Sequence, residues 1–313
     1  MEEQLVSIVV LSYKNLQYIK NTLDSILIQD YKNIELIIGD DGSENFDSEI
    51  YKDYINKKNL GNIKNIIIYS NEKNLGTVKN ANKAISLCKG EYIKFIAADD
   101  EFYSKDIISK MVEYMYKNNS IILMTNILWC DSKMNELDDA KQKIERNKKN
   151  LTLGKESKVF FKKLAQYCYI QAPGVMFKKY LFDKYGEFDE DYILIEDWNT
   201  WLRLTRKGVR FDYLDIVSVK YRVGTGVSTS NEPNPLFVQD YIKCIEKEIL
   251  PYRKELGSRL HKNINYVFVR TYKFKEYKMV DKVLFIFKNI DIVCINQINK
   301  ILLKLKRNNQ NEN

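Results

Sequence analysis

Residues 6–12 read Val6-Ser7-Ile8-Val9-Val10-Leu11-Ser12, and residues 34–41 read Ile34-Glu35-Leu36-Ile37-Ile38-Gly39-Asp40-Asp41. Each is a short β-branched apolar run closed by a polar cluster, the pattern of a strand buried on both faces. Between them Leu16, Ile19, Leu23, Ile26 and Leu27 recur at helical spacing and predict a helix over 16–29. The alternation continues outward. A helix is expected near 47–57, a strand at 66–69 and a helix over 78–88. A strand at Tyr92-Ile93-Lys94-Phe95-Ile96 then runs into Ala97-Ala98-Asp99-Asp100. A β-α-β-α-β order implies a parallel sheet covered by helices. In open sheets of this kind ligands bind beyond the carboxyl ends of the strands. Ser12 and Tyr13, Asp40 and Asp41, and Asp99 and Asp100 therefore converge on one edge of the sheet.

The rest of the chain is less regular. Residues 101–165 read as helical and lysine-rich, with one strand near 121–129. Residues 135–158 form the most polar segment and read as a mobile loop. A strand at 171–177, a helix over 198–206 and a strand pair at 210–217 follow. From about residue 236 the pattern becomes helical.

Composition sets the bounds. The 313 residues are 45% hydrophobic, with four prolines and twelve glycines, so the chain can bury a large core and has no Pro/Gly-rich linker. Cys88, Cys130, Cys168, Cys244 and Cys294 are scattered, which argues against a disulfide framework or a zinc site and fits a reducing cytoplasm. With His261 the sole histidine, in a Lys/Arg-rich stretch, a His-based metal site or a Ser-His-Asp triad is strongly disfavoured by inventory. The acidic start and the short apolar run at 6–11 do not read as a signal peptide. No stretch approaches the ~20 apolar residues needed to span a bilayer. There is no P-loop and no G-x-G-x-x-G, which disfavours a P-loop ATPase and a dinucleotide oxidoreductase.

Four constellations carry chemistry, and each has a plain structural reading beside it. Asp99 and Asp100 end a buried strand, where two carboxylates suit a hard divalent cation and a ribose hydroxyl; they equally suit a helix N-cap. Asp40-Asp41-Gly42-Ser43 places an acid where it could accept the N3–H of a uracil, or could form an Asx turn. Glu196 and Asp197 precede the helix at 198–206, as a general base or as caps on its dipole. Trp198 and Trp201 could stack on a sugar or pack the helix against the sheet. Lys79 and Arg222 could each face a diphosphate or be solvated surface cations.

Taken as an ordered set, these pieces resemble the family-2 glycosyltransferases, which have the GT-A fold. The matching stretches are 7–15, then Ile37-Ile38-Gly39-Asp40-Asp41-Gly42-Ser43, Asn74-Leu75-Gly76 with Asn82, and Gly90 through Asp100. Downstream, Gly186-Glu187-Phe188-Asp189-Glu190 and Glu196-Asp197-Trp198 match the acceptor-side signature, so the resemblance covers roughly residues 5–225. It implies a Rossmann-like mixed α/β sheet flanked by helices. It also implies an inverting, metal-dependent transferase using a nucleotide-sugar donor, with UDP the expected nucleotide and Mg2+ or Mn2+ the cofactor. Tyr13 and Asp41, with Ser12 and Asp40 beside them, would contact the nucleotide. Asp99 would bind ribose or metal, Asp100 the metal, and Asp197 would be the base with Glu196 next to it. Lys79 and Arg222 remain diphosphate candidates, and Trp198 and Trp201 acceptor candidates.

Two departures are visible. The family often shows Asp-Ala-Asp-Asp where this chain has Ala97-Ala98-Asp99-Asp100, which leaves the metal fewer carboxylates. Many relatives place a His shortly after a Tyr-Arg pair, whereas Tyr221-Arg222-Val223-Gly224-Thr225-Gly226-Val227-Ser228 has none; Arg222 and Ser228 could take over, on a segment that could act as a lid.

The expected division is a catalytic domain over 1–235, with a donor half to about 100 and an acceptor half after it, and a basic helical extension over 236–313. From Tyr241 onward there are about sixteen Lys/Arg against about seven Asp/Glu, which accounts for the net charge of +8. Residues 278–307 interleave apolar residues with lysines, as in a helix lying on an anionic membrane, or in one docking on protein. The expectation is a cytoplasmic enzyme, peripheral on the inner face of the cell membrane, acting on a lipid-linked saccharide or surface polysaccharide. Nucleic acid is not an expected partner, because no binding motif accompanies the charge. The alternatives are a nucleotidyltransferase, for which residues 12–15 lack a glycine/basic phosphate loop, and a glycosyltransferase-like protein without activity.

Overall fold

The computed structural model describes residues 4–224 and 234–294. The chain forms two compact units, one ending at Cys244 and one beginning at Ile245.

The first unit opens with β1 (Val6–Ser12), α1 (Ile19–Leu27), β2 (Ile34–Asp40), α2 (Ser48–Lys58), β3 (Ile63–Ser70), α3 (Thr77–Leu87) and β4 (Tyr92–Ala97). As expected, β1 lies parallel between β2 and β4, and β3 adds parallel to β2. Every residue of β2 is buried, and so is all of β1 except Leu11. Ile8, Val10, Leu36 and Ile38 pack with Leu23 and Ile26 of α1 in one apolar cluster. At roughly 1.5–3 kcal/mol per fully buried large aliphatic side chain, this layer stabilises the half of the sheet that carries the strand-end motifs.

The second half departs from the parallel pattern. It contains β5 (Glu101–Phe102), α4 (Ile107–Asn118), β6 (Ile122–Cys130), α5 (Ala140–Leu151), α6 (Ser157–Leu164), β7 (Val175–Lys178), α7 (Tyr180–Tyr185), α8 (Asp197–Arg206), β8 (Asp212–Arg222) and α9 (Pro235–Cys244). The sheet order is β3-β2-β1-β4-β7-β6-β8-β5. β7 runs antiparallel to both β4 and β6, and β5 antiparallel to β8, so the sheet is mixed.

Three local expectations are corrected. The polar stretch 135–158 is not a loop, because α5 occupies its middle. Its Lys, Gln, Glu and Arg residues are good helix formers, Lys143 pairs with Asp139 at 2.9 Å, and Ile144 packs beside Trp129 and Cys130. The strand expected over 171–177 is confined to 175–178, since Pro173 lacks an amide and 172–174 forms a 3-10 turn. The expected strand pair at 210–217 is one long strand, β8, reaching Arg222.

The second unit contains α10 (Arg253–Leu256), α11 (Ser258–Phe268) and α12 (Met279–Lys288). Phe285 stacks on Tyr266 at 5.5 Å, while Val280, Val283, Leu284 and Phe287 on α12 are exposed. Among the described residues no helix is long and apolar enough to cross a membrane. Ser228 and the stretch beyond Cys294 of the expected basic tail lie outside the described residues.

Candidate active site

The carboxyl ends of β1, β2 and β4 open onto a cavity of about 690 Å3 that is lined by Ser12, Tyr13, Asp41 and Asp99. A second cavity, of about 430 Å3, lies beside it and is walled by Trp129, Tyr167, Trp198, Tyr221, Phe237 and Tyr241. Asp99 and Glu196 line both, and Asp197 lines the second. Topology thus brings the strand-end acids and the α8 acids, some 97 residues apart in sequence, to one place.

On the first side, the backbone N–H of Asp41 donates to the Ser12 carbonyl at 2.8 Å, locking β2 to β1 at their ends. The hydroxyl of Ser12, a residue that lines this cavity, is buried with no hydrogen-bond partner. Lys14 adopts φ 59°, an uncommon backbone state for a residue with a side chain, and its N–H donates to the Ser43 hydroxyl at 2.8 Å. The Asp41 carboxylate accepts from Asn71 Nδ2, Leu75 N and Gly76 N, each at 2.9 Å, and so folds residues 71–76 over the cavity. Gly76 is required there: its φ is +90°, and a Cβ would lie 2.6 Å from the Ile193 carbonyl oxygen. Hydrogen bonding to Asn74 and Lys14 lowers the pKa of Tyr13.

Four expected contacts are placed differently. Asp40 lies under the turn, where it accepts from Ser43 N, Ser43 Oγ and Ser70 Oγ at 2.6–2.8 Å, so it builds the Asx turn and lines neither cavity. Lys79 is exposed on α3 and lines neither cavity. Trp201 is fully buried and stacked on Phe177 at 5.8 Å, so it packs α8 and has no free face for a sugar. Arg222 is a buried strut. Its N–H donates to Asp100 Oδ1 at 3.0 Å, its Nε to the Asp99 carbonyl at 2.9 Å and its Nη1 to the Ser132 carbonyl, with the guanidinium 4.1 Å from the Tyr18 ring. Its Nη2 has no hydrogen-bond partner and lies 3.8 Å from Glu101, and Arg222 borders the second cavity.

The acidic groups sit in unusual surroundings. Burial, then the charge of Asp99, pushes the Asp100 carboxyl well up, against the pull of Arg222 and Lys94. Burial raises Glu196 and Asp197 as well, and Asp197 raises Glu196 further, while the Trp198 N–H at 2.6 Å from Asp197 Oδ1 partly offsets this. A cleft carboxylate with a raised pKa has the chemistry of a general base working near neutrality.

Among the described residues no three His, Cys, Asp or Glu side chains group as metal ligands. Asp100 Oδ2 is buried and without a hydrogen-bond partner. Mg2+ is commonly held by one or two carboxylates plus substrate phosphates; Asp99, which lines both cavities, fits that mode, whereas Asp100 is buried and lines neither.

Some site residues escaped the sequence reading. Lys94 is fully buried inside β4; its Nζ donates to the carbonyls of Phe95 and Pro173, and burial pushes its pKa down to about 7. A lysine inside a buried apolar strand is a break in pattern that could have flagged it. Trp129, Tyr221 and Tyr241 left no signal, because aromatics on three separate elements meet only in space.

The family's sequence model, Glycosyl transferase family 2, matches residues 7–186. The chain belongs to that family. A glycosyltransferase of Methanocaldococcus jannaschii is 30% identical over 229 residues, 71% of this chain and 72% of that one. The UDP-Glc:alpha-D-GlcNAc-diphosphoundecaprenol beta-1,3-glucosyltransferase WfaP of Escherichia coli is 27% identical over 243 residues, 76% and 85% of the two chains. Among solved structures, S. aureus TarS 1–349 in complex with UDP superposes with TM-score 0.59 at 17% identity, covering 90% of this chain and 78% of that one. The mannosyltransferase PcManGT from Pyrobaculum calidifontis, in complex with GDP-Man and Mn2+, gives TM-score 0.58 at 14% identity over 96% and 80%. This family-2 glycosyltransferase therefore has the GT-A fold, as the resemblance implied.

Proposed function

We propose that this glycosyltransferase moves a sugar, with inversion, from a UDP-sugar to a hydroxyl of a lipid-linked oligosaccharide or surface polysaccharide. The observation that carries this reading is that the two cavities meet at Asp99 and Glu196. The larger cavity takes the donor: Tyr13 and Asp41 face the base, and Ser12 lines the same cavity. The aromatic cavity takes the acceptor, with Trp198 as one wall. Asp197, with Glu196 beside it, removes the proton of the attacking hydroxyl. Asp99 and Asp100 would hold Mg2+ or Mn2+, which when bound neutralises charge on the departing diphosphate. Arg222 fixes that pair from the wall of the second cavity. UDP as nucleotide and a lipid-linked acceptor are supported by TarS, solved with UDP, and by WfaP, named for a diphosphoundecaprenol acceptor. A peripheral seat on the inner membrane face is supported by α12, whose exposed apolar residues are flanked by Lys282 and Lys288.

Thermal shift with UDP, GDP and dTDP, with and without Mn2+, tests the donor assignment. UDP should stabilise the protein most, and more so with Mn2+. If no nucleotide gives metal-dependent stabilisation, the reading fails.

A further inference from the structure

We propose that Asp240 of α9 is a positioning residue, which sets the main chain immediately ahead of Glu196 and Asp197; this rests on the reading of that pair as the general base. Oδ2 of Asp240 accepts the backbone N–H groups of Ile193, Leu194 and Ile195 at 2.8, 2.6 and 3.2 Å. Asp240 is only 2% exposed. Three successive amides converging on one buried oxygen form an anion nest, and charged acceptors make the stronger hydrogen bonds.

The segment held this way has little order of its own. Residues 186–196 contain neither helix nor strand, yet they end at the two acids. A loop this irregular keeps a fixed shape only where its backbone groups find partners elsewhere. Asp240 supplies them on one side. On the other, the Ile193 carbonyl accepts the Val78 N–H at 3.2 Å, at the start of α3 and two residues beyond Gly76. Asn199 Nδ2 donates to the Ile195 carbonyl at 2.5 Å from within α8.

The consequence is geometric. Leu194 borders both cavities, and the next residue of α9, Tyr241, packs its ring 4.7 Å from Trp198 on the acceptor side. One carboxylate therefore ties the acceptor wall, the base loop and the donor-side turn together. A displacement of about 1 Å at a reacting group can cost on the order of a hundredfold in rate. Loss of Asp240 should slow turnover more than it weakens nucleotide binding, because Tyr13 and Asp41 follow the ends of β1 and β2 and, of the three residues Asp240 holds, only Ile193 and Leu194 reach the donor cavity. The titratable and charged groups at this loop include Glu196, Asp197, Cys168, whose thiol burial pushes well up, Lys243, which donates to the Asp191 carbonyl, and Arg203, which donates to the Glu187 carbonyl. Loosening the loop admits water to the carboxyls at 196 and 197, and relief of their burial favours the ionised forms.

The test compares Asp240→Asn and Asp240→Ala with wild type, using the UDP-sugar that gives the fastest UDP release. With Asp240→Ala, kcat should fall about tenfold or more while KM for the donor and UDP affinity stay within about threefold. Asp240→Asn keeps an oxygen acceptor and should fall less. In both, the acid limb of kcat should move to lower pH, and hydrogen exchange should quicken at the amides of 193–195. Unchanged kcat and pH profile, whatever happens to the melting temperature, would overturn the proposal. If Asp240→Ala fails to fold, Asp240→Asn decides by the same criteria. Transfer retained by Asp197→Asn would instead refute the base reading and leave the exchange result standing.

Discussion

The backbone N–H of Arg222 donates to Oδ1 of Asp100 at 3.0 Å, joining residues 122 apart in the chain. The guanidinium of Arg222 holds the same turn again through the Asp99 carbonyl. The end of β8 and the end of β4 are thereby a single support for the two acids.

Replacing Arg222 by Met should test that support. It leaves the buried carbonyl of Asp99 without its donor, at about 1–3 kcal/mol, while the carbonyl of the exposed Ser132 can turn to water. The midpoint of urea unfolding should drop accordingly, and Mn2+-dependent stabilisation by UDP should shrink. Arg222→Lys should recover part of the stability, because a single ammonium cannot match the fork. Full metal-dependent stabilisation in Arg222→Met would show that the strut does not set the acids.

Asp197→Asn should remove transfer while nucleotide affinity stays within a few-fold. General base catalysis typically supplies 10²–10⁴ in rate, so kcat should fall by about that factor. Single-turnover assays beside UDP calorimetry separate the two quantities. Wild-type turnover in this variant would place the base elsewhere.

The pH dependence follows from burial of the acidic pair. Both carboxyls are pushed up in the folded protein. A base works only when deprotonated, so kcat should rise with pH along a limb above the ordinary carboxylate value of about 4. Stability has the opposite sign. The folded pair binds protons more tightly than the unfolded chain, so its contribution is complete below about pH 4 and is lost as pH rises through the raised values. Urea titrations of wild type and of Glu196→Gln/Asp197→Asn across that interval should show the slope disappear in the double variant.

The two tryptophans of α8 should behave differently. Trp201 is fully buried against Phe177 and Phe211, so Trp201→Ala should cost about 3–5 kcal/mol of stability. Trp198 also packs, with Nε1 donating to the Leu164 carbonyl at 2.8 Å, but it borders the second cavity, the one proposed for the acceptor. Trp198→Phe should raise the acceptor KM more than the donor KM. Equal effects on both would remove Trp198 from the acceptor wall.

The exposed face of α12 offers a last test. Val283 and Phe287 are 59% and 77% exposed, so Val283→Asp/Phe287→Asp should leave folding within about 0.5 kcal/mol per substitution. Co-sedimentation with vesicles containing phosphatidylglycerol should fall sharply. Lys282→Gln/Lys288→Gln should weaken it by about 1 kcal/mol per charge, and only on anionic vesicles. Binding unchanged by all four substitutions would rule out this face as the contact.

The sequence alone determined the donor half of the sheet. β1, β2 and β4 were legible because their apolar runs are local and nearly unbroken, and the polar clusters at their ends mark where the chain turns. The ordered spacing of Asp41, Asp99 and Asp197 pointed to the family for the same reason. Tertiary structure decided the rest. Whether Asp40 or Asp41 lines a cavity depends on which carboxylate the turn itself consumes, and adjacent acids look alike in a sequence. That Trp198 borders the second cavity while Trp201 disappears into the core follows from the rotation of α8 against β7. The antiparallel β7, the helix within a polar stretch, and the ties from Arg222 to Asp100 and from Asp240 to Ile193–Ile195 rest on contacts between distant segments. Hydrophobic periodicity records which side of an element is buried, not what it is buried against.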